Sequence, residues 1–300
     1  METTNTNRIS LDEYKKYKKR SLAADVWHNY KKSPSAMVGL ILIVIIIILA
    51  IAAQLIYNYE VDIVQQDLTQ RFIKPNPEHI FGTDQYGRDV LTRVLYGAKY
   101  SLAVGIVSVA ISCAIGATLG LIAGYYGGVI ENVIMRFCDI FIGIPSVLLG
   151  IAIMSAFGQS LIVLMLAVGL VYMSAFARTA RSAVLPVREQ EYIEAAKVAG
   201  VSDLKIIFSH VLPNSLSPII VQVTMGVANG ILTASFLSFL GLGVPVPAPE
   251  WGAMLSSARQ YIRDYSYLTN FPGLAIMITV LAFNLMGDGL RDALDPKLKQ

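Results

Sequence analysis

Long apolar segments constrain the fold of this chain more than any other feature of its sequence. The clearest covers residues 36–56, an almost uninterrupted run of Ile, Leu, Val and Ala. As a helix it would reach across about 30 Å, the thickness of the hydrocarbon core of a bilayer. Similar segments predict five further spans, at residues 101–124, 133–157, 160–176, 217–240 and 271–286. The sequence therefore predicts an all-α integral membrane protein with six transmembrane helices.

The polar segments divide the chain into parts on the two sides of the membrane. In chain order these are a basic tail (1–35), the first transmembrane helix (36–57), an extracytoplasmic loop (58–99), a five-helix core (100–290) that includes a polar segment (185–214), and a short tail (291–300). Six crossings put both termini on one side. Lys and Arg concentrate in the first tail, around residues 178–205 and after the last span, as they do in cytoplasmic segments. We therefore expect cytoplasmic termini and a cytoplasmic polar segment. The first span is too long for the core of a cleaved signal peptide, so we expect it to be retained.

The polar segment 185–214 carries its own helix signals. Residues 192–199 are rich in small residues and predict a short helix, and Gly200 can adopt the positive φ that a helix end needs. Ser202 and Asp203 can cap a second helix over residues 204–211, which Pro213 would end. A helix–glycine–helix element is more than a connection between spans requires. We therefore expect this segment to contact another molecule.

Glycines and polar residues within the predicted spans indicate how the helices meet. Glycines four residues apart predict faces on which another helix approaches closely, and they are Gly116, Gly120 and Gly124 in the second span and Gly226 and Gly230 in the fifth. Three amides lie at membrane depth, Gln222, Asn229 and Asn284. Each either bonds a neighbouring helix or faces a wet pathway. Pro145 predicts a kink in the third span, and Arg136 and Asp139 can pair on one helix face.

No residue pattern in the chain indicates catalysis, a metal site or a bound cofactor. There is no Walker A sequence, no dinucleotide-binding glycine fingerprint and no cluster at metal-ligand spacing. Cys113 and Cys138 lie in apolar stretches and are interpreted as buried structural thiols. The net charge of +3 is too small to indicate nucleic acid. A membrane chain of this kind is passive, ion-coupled or driven by a partner. The predicted span interiors lack the ionisable groups of ion-coupled carriers, which favours a partner.

Residues 194–214 resemble the EAA signature of permease subunits of binding-protein-dependent ABC importers. The matching residues are Glu194, Ala195, Ala196, Gly200, Ile207, His210, Leu212, Pro213 and Asn214. Four further blocks, at residues 79–91, 237–243, 249–255 and 283–296, resemble the C-type permease of dipeptide, oligopeptide and nickel importers. The resemblance covers roughly residues 25–297. Ala234 departs from it, because many relatives are expected to have an acidic residue there, with consequences for packing or for the pathway.

The resemblance implies a type I importer core in the cytoplasmic (inner) membrane of a bacterium or archaeon. Its implied partners are a homologous second permease subunit, two ABC ATPase subunits, an extracytoplasmic solute-binding protein and membrane lipid, without nucleic acid. ATP and magnesium would bind the ATPases, so this chain itself would be no enzyme and bind no cofactor. The implied cargo is a dipeptide or oligopeptide. A nickel chelate or another small solute is the alternative, and a stand-alone ion-coupled carrier is a distant one.

The resemblance also implies roles for particular residues. The polar segment would be the coupling helix that enters a groove on an ATPase, through Tyr192, Glu194, Ala195, Ala196, Ala199, Gly200, His210, Leu212, Pro213 and Asn214. The small alanines would keep one helix face thin, and Gly200 would supply the bend. On the outer side, Pro249, Glu250 and Trp251 are expected to help dock the solute-binding protein, because an ordered outer loop there carries what we interpret as an exposed Trp.

Overall fold

The computed structural model describes residues 22–294, and regular structure in this range is helical. The helices in chain order are α1 (Leu22–Tyr30), α2 (Pro34–Ile56), α3 (Val90–Tyr126), α4 (Gly128–Gly143), α5 (Ser146–Phe157), α6 (Leu161–Arg188), α7 (Glu191–Val198), α8 (Asp203–Ile206), α9 (Leu212–Phe239), α10 (Trp251–Ala258) and α11 (Tyr267–Leu294). Short π or 3₁₀ turns lie at Tyr59–Val64, Leu68–Gln70, Ile207–Val211 and Arg259–Tyr261. Most of the predicted basic tail and the last residues of the short tail lie outside the described range.

Six crossings of the membrane follow from helix length and from where the helix ends meet. Five helices are long and apolar enough to cross, and α4 with α5 makes a sixth if the bent pair is one span. At the start of α4, Arg188 Nη1 donates to the Gly124 carbonyl at 2.8 Å. Just after α5, Gln159 Nε2 donates to the Gly241 carbonyl at 2.8 Å, beyond the far end of α9. The pair therefore runs from one end of the bundle to the other, which confirms the six predicted spans.

The membrane helices extend beyond the apolar segments from which they were predicted. α3 begins at Val90, eleven residues before the predicted second span, and ends at Tyr126. Asp89 caps it by accepting from the Thr92 N–H at 2.9 Å. The predicted domain boundary at residues 99 and 100 therefore falls inside a helix, and the boundary at 290 and 291 falls inside α11. Hydrophobicity marks the part of a helix in lipid, whereas the helix itself continues into water.

Pro145 breaks the third span instead of kinking it. α4 and α5 are inclined at 88° to each other across the break. Ile144 has an extended backbone with φ −94° and ψ 125°, because proline disfavours the helical conformation of the residue before it. The predicted kink is therefore too mild a description of this turn.

The prediction that Pro213 ends the second helix of the polar segment is wrong. α8 continues through the π turn into α9, and residues from Asp203 to Phe239 form one path. Pro213 lies in the first turn of α9, where a missing N–H costs little. The N–H of Leu212 bonds the Ile207 carbonyl five residues earlier. This wider turn accommodates the proline, and Ser202 makes no side-chain cap hydrogen bond.

The glycine stripe of α3 lies against α6, and these two helices form the most extensive pair in the described structure. A Cβ placed on Gly120 would lie 2.7 Å from the Cβ of Ala180 and would overlap the Ala177 carbonyl. Gly116 and Gly124 are equally confined. The close approach of α3 and α6 therefore depends on residues without side chains.

The two glycines of α9 face α3 across a looser contact. A Cβ on Gly226 would lie 3.3 Å from Val109 Cγ2, and one on Gly230 would lie 3.5 Å from the Gly105 carbonyl. Ala234, one turn further along α9, is buried at 2% exposure in an apolar cluster with Leu164. At this position the chain therefore packs a small apolar side chain between helices.

Candidate functional site

The polar segment folds into two short helices joined at Gly200, and residues 191–211 are called the α7–α8 element below. Gly200 has φ +75°, in the left-handed region that favours glycine. Its N–H bonds the Lys197 carbonyl at 3.0 Å, and the Val201 N–H bonds the Ala196 carbonyl at 3.1 Å. These two bonds form a Schellman motif, which ends α7 and reverses the chain.

One face of the α7–α8 element is anchored to the ends of α3 and α6. Its buried residues Ile193, Ile206, Ile207 and Val211 form one apolar cluster with Leu121, Tyr125 and Val184. Tyr125 Oη donates to Asp203 Oδ1 at 2.7 Å, and the Lys197 ammonium lies 5.1 Å from the centre of the Tyr125 ring. Asp203, expected as a helix cap, therefore serves as an anchor. The element is fixed to two membrane helices.

The opposite face of the element exposes large apolar side chains. Val198 is 90% exposed, Leu204 67%, Phe208 59% and Tyr192 44%. They lie in a polar segment at the end of the bundle, away from the apolar spans. Apart from Tyr192, the sequence prediction missed them. The signal was available, because these residues are out of phase with the buried positions of the same helices. Exposed apolar surface of this kind is typical of an interaction site.

Six of the ten predicted coupling residues lie on α7 or directly after it. Glu194, Ala195, Ala199 and Gly200 are exposed, whereas Ala196 is half-buried. Glu194 lines a cleft with Tyr126, Glu131, Arg188 and Lys197. The remaining predicted residues, His210, Leu212, Pro213 and Asn214, lie where the π turn meets α9. There Asn214 Nδ2 donates to the His210 carbonyl at 2.7 Å, so Asn214 supports the helix start.

A cavity of about 770 Å³ opens between α6, α9 and α11, at the same end of the bundle as the α7–α8 element. Of the three amides predicted for a pathway, Gln222 lines it. Asn229 is exposed on α9, Asn284 is half-buried on α11, and neither lines this cavity. The structure therefore separates the three amides.

An ionic cluster lies beside this cavity. Arg178 Nη2 donates to Asp139 Oδ1 at 2.7 Å, whereas the predicted partner Arg136 is 3.9 Å from Asp139. Arg178 was expected just after the fourth span, but it lies within α6, about 15 Å before the helix ends. Arg178 therefore lies beyond the predicted span of residues 160–176, in the part of α6 that continues past it.

Comparison with known proteins decides the family of the chain. Residues 116–300 match the family described as binding-protein-dependent transport system inner membrane component. Residues 21–75 match the N-terminal TM domain of oligopeptide transport permease C. The chain belongs to this family of transport permeases. The predicted resemblance to C-type permeases is thereby confirmed, and the chain is a transport subunit of the inner membrane.

Curated relatives match almost the whole chain. The dipeptide transport system permease protein DppC of Alkalihalophilus pseudofirmus is 48% identical, over 92% of this chain and 90% of that protein. DppC of Haemophilus influenzae is 44% identical, over 92% and 95%. The glutathione transport system permease protein GsiD of Escherichia coli is 43% identical, over 92% and 90%. An inward-facing MetNI methionine ABC transporter structure has a TM-score of 0.56 at 18% identity, covering 68% of this chain and 97% of its own. This likeness supports the type I importer permease fold.

At the end of the bundle opposite the α7–α8 element, the structure does not expose the residues predicted for docking. Trp251 is 2% exposed and its Nε1 donates to the Val94 carbonyl at 2.9 Å. Glu250 is also buried, and its carboxyl accepts from the N–H groups of Gly252 at 2.9 Å and Ala253 at 2.8 Å. Burial raises the pKa of Glu250 above its ordinary value. With Pro249 buried as well, these three side chains fasten α10 to α3. The prediction that they form a docking surface is wrong.

Neither cysteines nor metal ligands add a reactive site to the permease. Cys138 is buried and Cys113 is half-buried, and both thiols are free. Within residues 22–294, no group of three His, Cys, Asp or Glu side chains is placed to hold a metal ion.

Proposed function

We propose that this permease is a subunit of an ATP-driven importer of dipeptides and oligopeptides. The observation that carries the proposal is the two-sided α7–α8 element, which is anchored to α3 and α6 on one face and apolar and exposed on the other. Such an element suits a partner that binds from the cytoplasm and moves the membrane helices. The peptide cargo is supported by relatives named as dipeptide permeases at 48% and 44% identity.

The proposed complex contains a homologous second permease subunit, two ABC ATPases that carry ATP and magnesium, and an extracytoplasmic solute-binding protein. α9 leaves a stripe of side chains open to a second membrane subunit or to lipid, including Leu232 at 53% and Phe236 at 44% exposure. The first and last described helices meet near the end that carries the α7–α8 element, in a cluster of Tyr30, Ala36 and Ala293. With that element facing the ATPases, both termini are cytoplasmic.

The geometry supports a simple coupling mechanism. Val198, Leu204 and Phe208 would enter an apolar groove on an ATPase subunit. When the two ATPases close around ATP, the groove carries the α7–α8 element with it. Because the inner face of the element packs on α3 and α6, and α8 runs on into α9, the movement passes to the helices that bound the cavity. The cavity then exchanges access between the two sides of the membrane.

Glutathione is a second candidate cargo, supported by relatives named as glutathione permeases at 43% identity. It is itself a short peptide, so both cargoes fit one architecture. Uptake by reconstituted complexes, each with its own solute-binding protein, separates dialanine, glutathione and a nickel chelate. A stand-alone ion-coupled carrier would instead transport without ATPase subunits.

Charge substitutions on the exposed face test the coupling role. Phe208→Asp should abolish co-purification of the ATPase subunits with the permease pair, because it places a carboxylate in an apolar contact. Val61→Asp is the matched control, since Val61 is 59% exposed at the opposite end of the bundle. The control should retain full co-purification. Normal recovery of ATPase with Phe208→Asp and with Leu204→Asp would refute the coupling role.

A further inference from the structure

The cavity between α6, α9 and α11 is open to solvent and has the size of a site for a small solute. Its volume of about 770 Å³ is within the range of about 300–1,000 Å³ that is usual for ligand sites. It follows α6 from Arg178 to Val187 and α9 from Asn214 to Gln222. At 1.5 Å per residue, each wall is about 12–14 Å long.

Two cations lie at one level of this cavity. Gly287 of α11 packs on Thr224 and Met225 of α9, so Arg291, one turn further along α11, lies level with Val221. Ser215 Oγ of α9 donates to the Ala183 carbonyl of α6 at 3.3 Å. From this bond Arg178 lies five residues back along α6, which places it level with Ile220, five residues further along the antiparallel α9 and close to the level of Val221. The two guanidinium groups therefore approach from different helices.

The positive charge of the two arginines is only partly balanced. No residue that lines the cavity is acidic. Arg178 uses one of its five N–H donors on Asp139 and is 52% exposed. Among the described residues, no carboxylate lies within ion-pairing distance of Arg291. Within residues 22–294, the cavity thus presents guanidinium donors that no carboxylate fully occupies, and these suit a carboxylate in a bidentate arrangement.

Two backbone carbonyls supply acceptors at the other end of the cavity. Pro186 lies inside α6 and Pro218 inside α9, and both line the cavity. Proline has no N–H, so the carbonyls of Ser182 and Asn214, four residues earlier, lack their helical donors. Ser182 and Asn214 also line the cavity. The backbone hydrogen bonding of both helices is therefore interrupted beside the cavity.

The distance between the guanidinium donors and the carbonyl acceptors matches the length of a short extended peptide. Ser182 lies about 6 Å along α6 from Arg178, and Asn214 lies about 9 Å along α9 from Ile220, which is level with Arg178. An extended chain covers about 3.3–3.6 Å per residue, so two or three residues span this interval. We propose that the cavity binds a dipeptide or tripeptide, its carboxylate held by Arg178 and Arg291 and its ammonium held by the carbonyls of Ser182 and Asn214. The inference rests on the proposed peptide cargo and adds a binding site within this chain.

Equilibrium binding to the assembled transporter tests the site. The complex of two permeases and two ATPases, in nanodiscs without nucleotide or solute-binding protein, is dialysed against radiolabelled dialanine, its C-terminal amide and its N-acetyl derivative. Dialanine should bind at least about tenfold more tightly than either derivative, because each lacks one charged end. Arg291→Gln should remove the preference for the free carboxylate. Arg136→Gln is the matched control and should keep it, because Arg136 is 86% exposed and does not line the cavity.

Equal binding of dialanine and its amide to the wild-type complex would overturn the site, and so would absence of dialanine binding. These comparisons need no variant, so a folding defect in Arg291→Gln does not affect them. ATP-driven uptake with the solute-binding protein separates the two proposals. If the complex takes up dialanine but, in dialysis, shows no preference for dialanine over its two derivatives, the cavity site alone is overturned. A complex that takes up no peptide overturns the proposed function as well.

Discussion

Replacing Gly120 with alanine tests the close contact between α3 and α6. The new Cβ would lie 2.7 Å from the Cβ of Ala180 and would overlap the Ala177 carbonyl. Carbon atoms in good contact are about 3.5 Å apart, so the two helices must separate by roughly 0.8 Å or bend. This movement would open the packing on both sides of residue 120.

The expected cost is a few kcal/mol. Overpacking of a well-packed interior costs about 1–3 kcal/mol, and the upper end applies here because one of the obstructing groups is backbone. Alanine recovers about 1 kcal/mol through its helix propensity, which leaves roughly 2 kcal/mol of destabilisation. For a chain of 300 residues that corresponds to a fall of about 3 °C in the unfolding midpoint.

The two free cysteines supply the assay. A thiol-reactive dye reports unfolding as buried Cys138 becomes accessible. Gly273→Ala is the matched control, because Gly273 lies within α11 and a Cβ there meets nothing within 4 Å. The control should be unchanged or slightly stabilised. A Gly120→Ala protein with the wild-type midpoint, or an equal fall in the control, would refute the assigned contact.

Three further predictions concern anchors outside the glycine stripe. Trp251→Ala should cost about 3–5 kcal/mol in unfolding free energy, because the side chain is 2% exposed, whereas Trp27→Ala, at 47% exposure, should cost less than about 0.5 kcal/mol. Burial raises the folded-state pKa of Glu250, so its contribution to stability is present at low pH and is lost as pH rises through that pKa. The unfolding midpoint of wild type should therefore rise relative to that of Glu250→Gln as pH falls from 8 to 5. A difference between the two midpoints that does not change with pH would contradict this. Tyr125→Phe removes the 2.7 Å bond to Asp203, worth about 1 kcal/mol, and trypsin should cut the α7–α8 element about fivefold faster.

The sequence was sufficient to predict the membrane helices and the family, because both depend on local patterns. Apolar length alone predicted the six spans, and the spacing of Glu194, Gly200 and Pro213 carried the resemblance to the permease family. Gly200 was assigned to a positive φ from its position after a short helix, and the structure places it at +75°. Each of these inferences needs only neighbouring residues.

Features that depend on long-range contacts were missed. From the sequence alone, Trp251 in a loop is consistent with an exposed interfacial residue. In the structure its ring N–H donates to a backbone carbonyl of α3 that lies 157 positions away in the sequence. The angle at Pro145 depends on what α4 and α5 pack against, and a proline alone indicates only that a helix is interrupted. The sequence prediction ended the fourth span before Arg178 because this residue is charged. In the structure Arg178 lies within α6 and donates a hydrogen bond to Asp139.

The α7–α8 element and the cavity share the same two helices, so their occupancies should be coupled. α6 passes from the cavity to Arg188 and then leads directly into α7. α9 starts at the π turn and forms the facing wall, and the Ser215 bond to Ala183 joins the two helices where both line the cavity. An ATPase that displaces Ile193 and Ile207 must therefore shift both walls of the cavity. By linkage, a peptide held in the cavity must change the affinity of the permease for its ATPase by the same factor by which the ATPase changes peptide affinity.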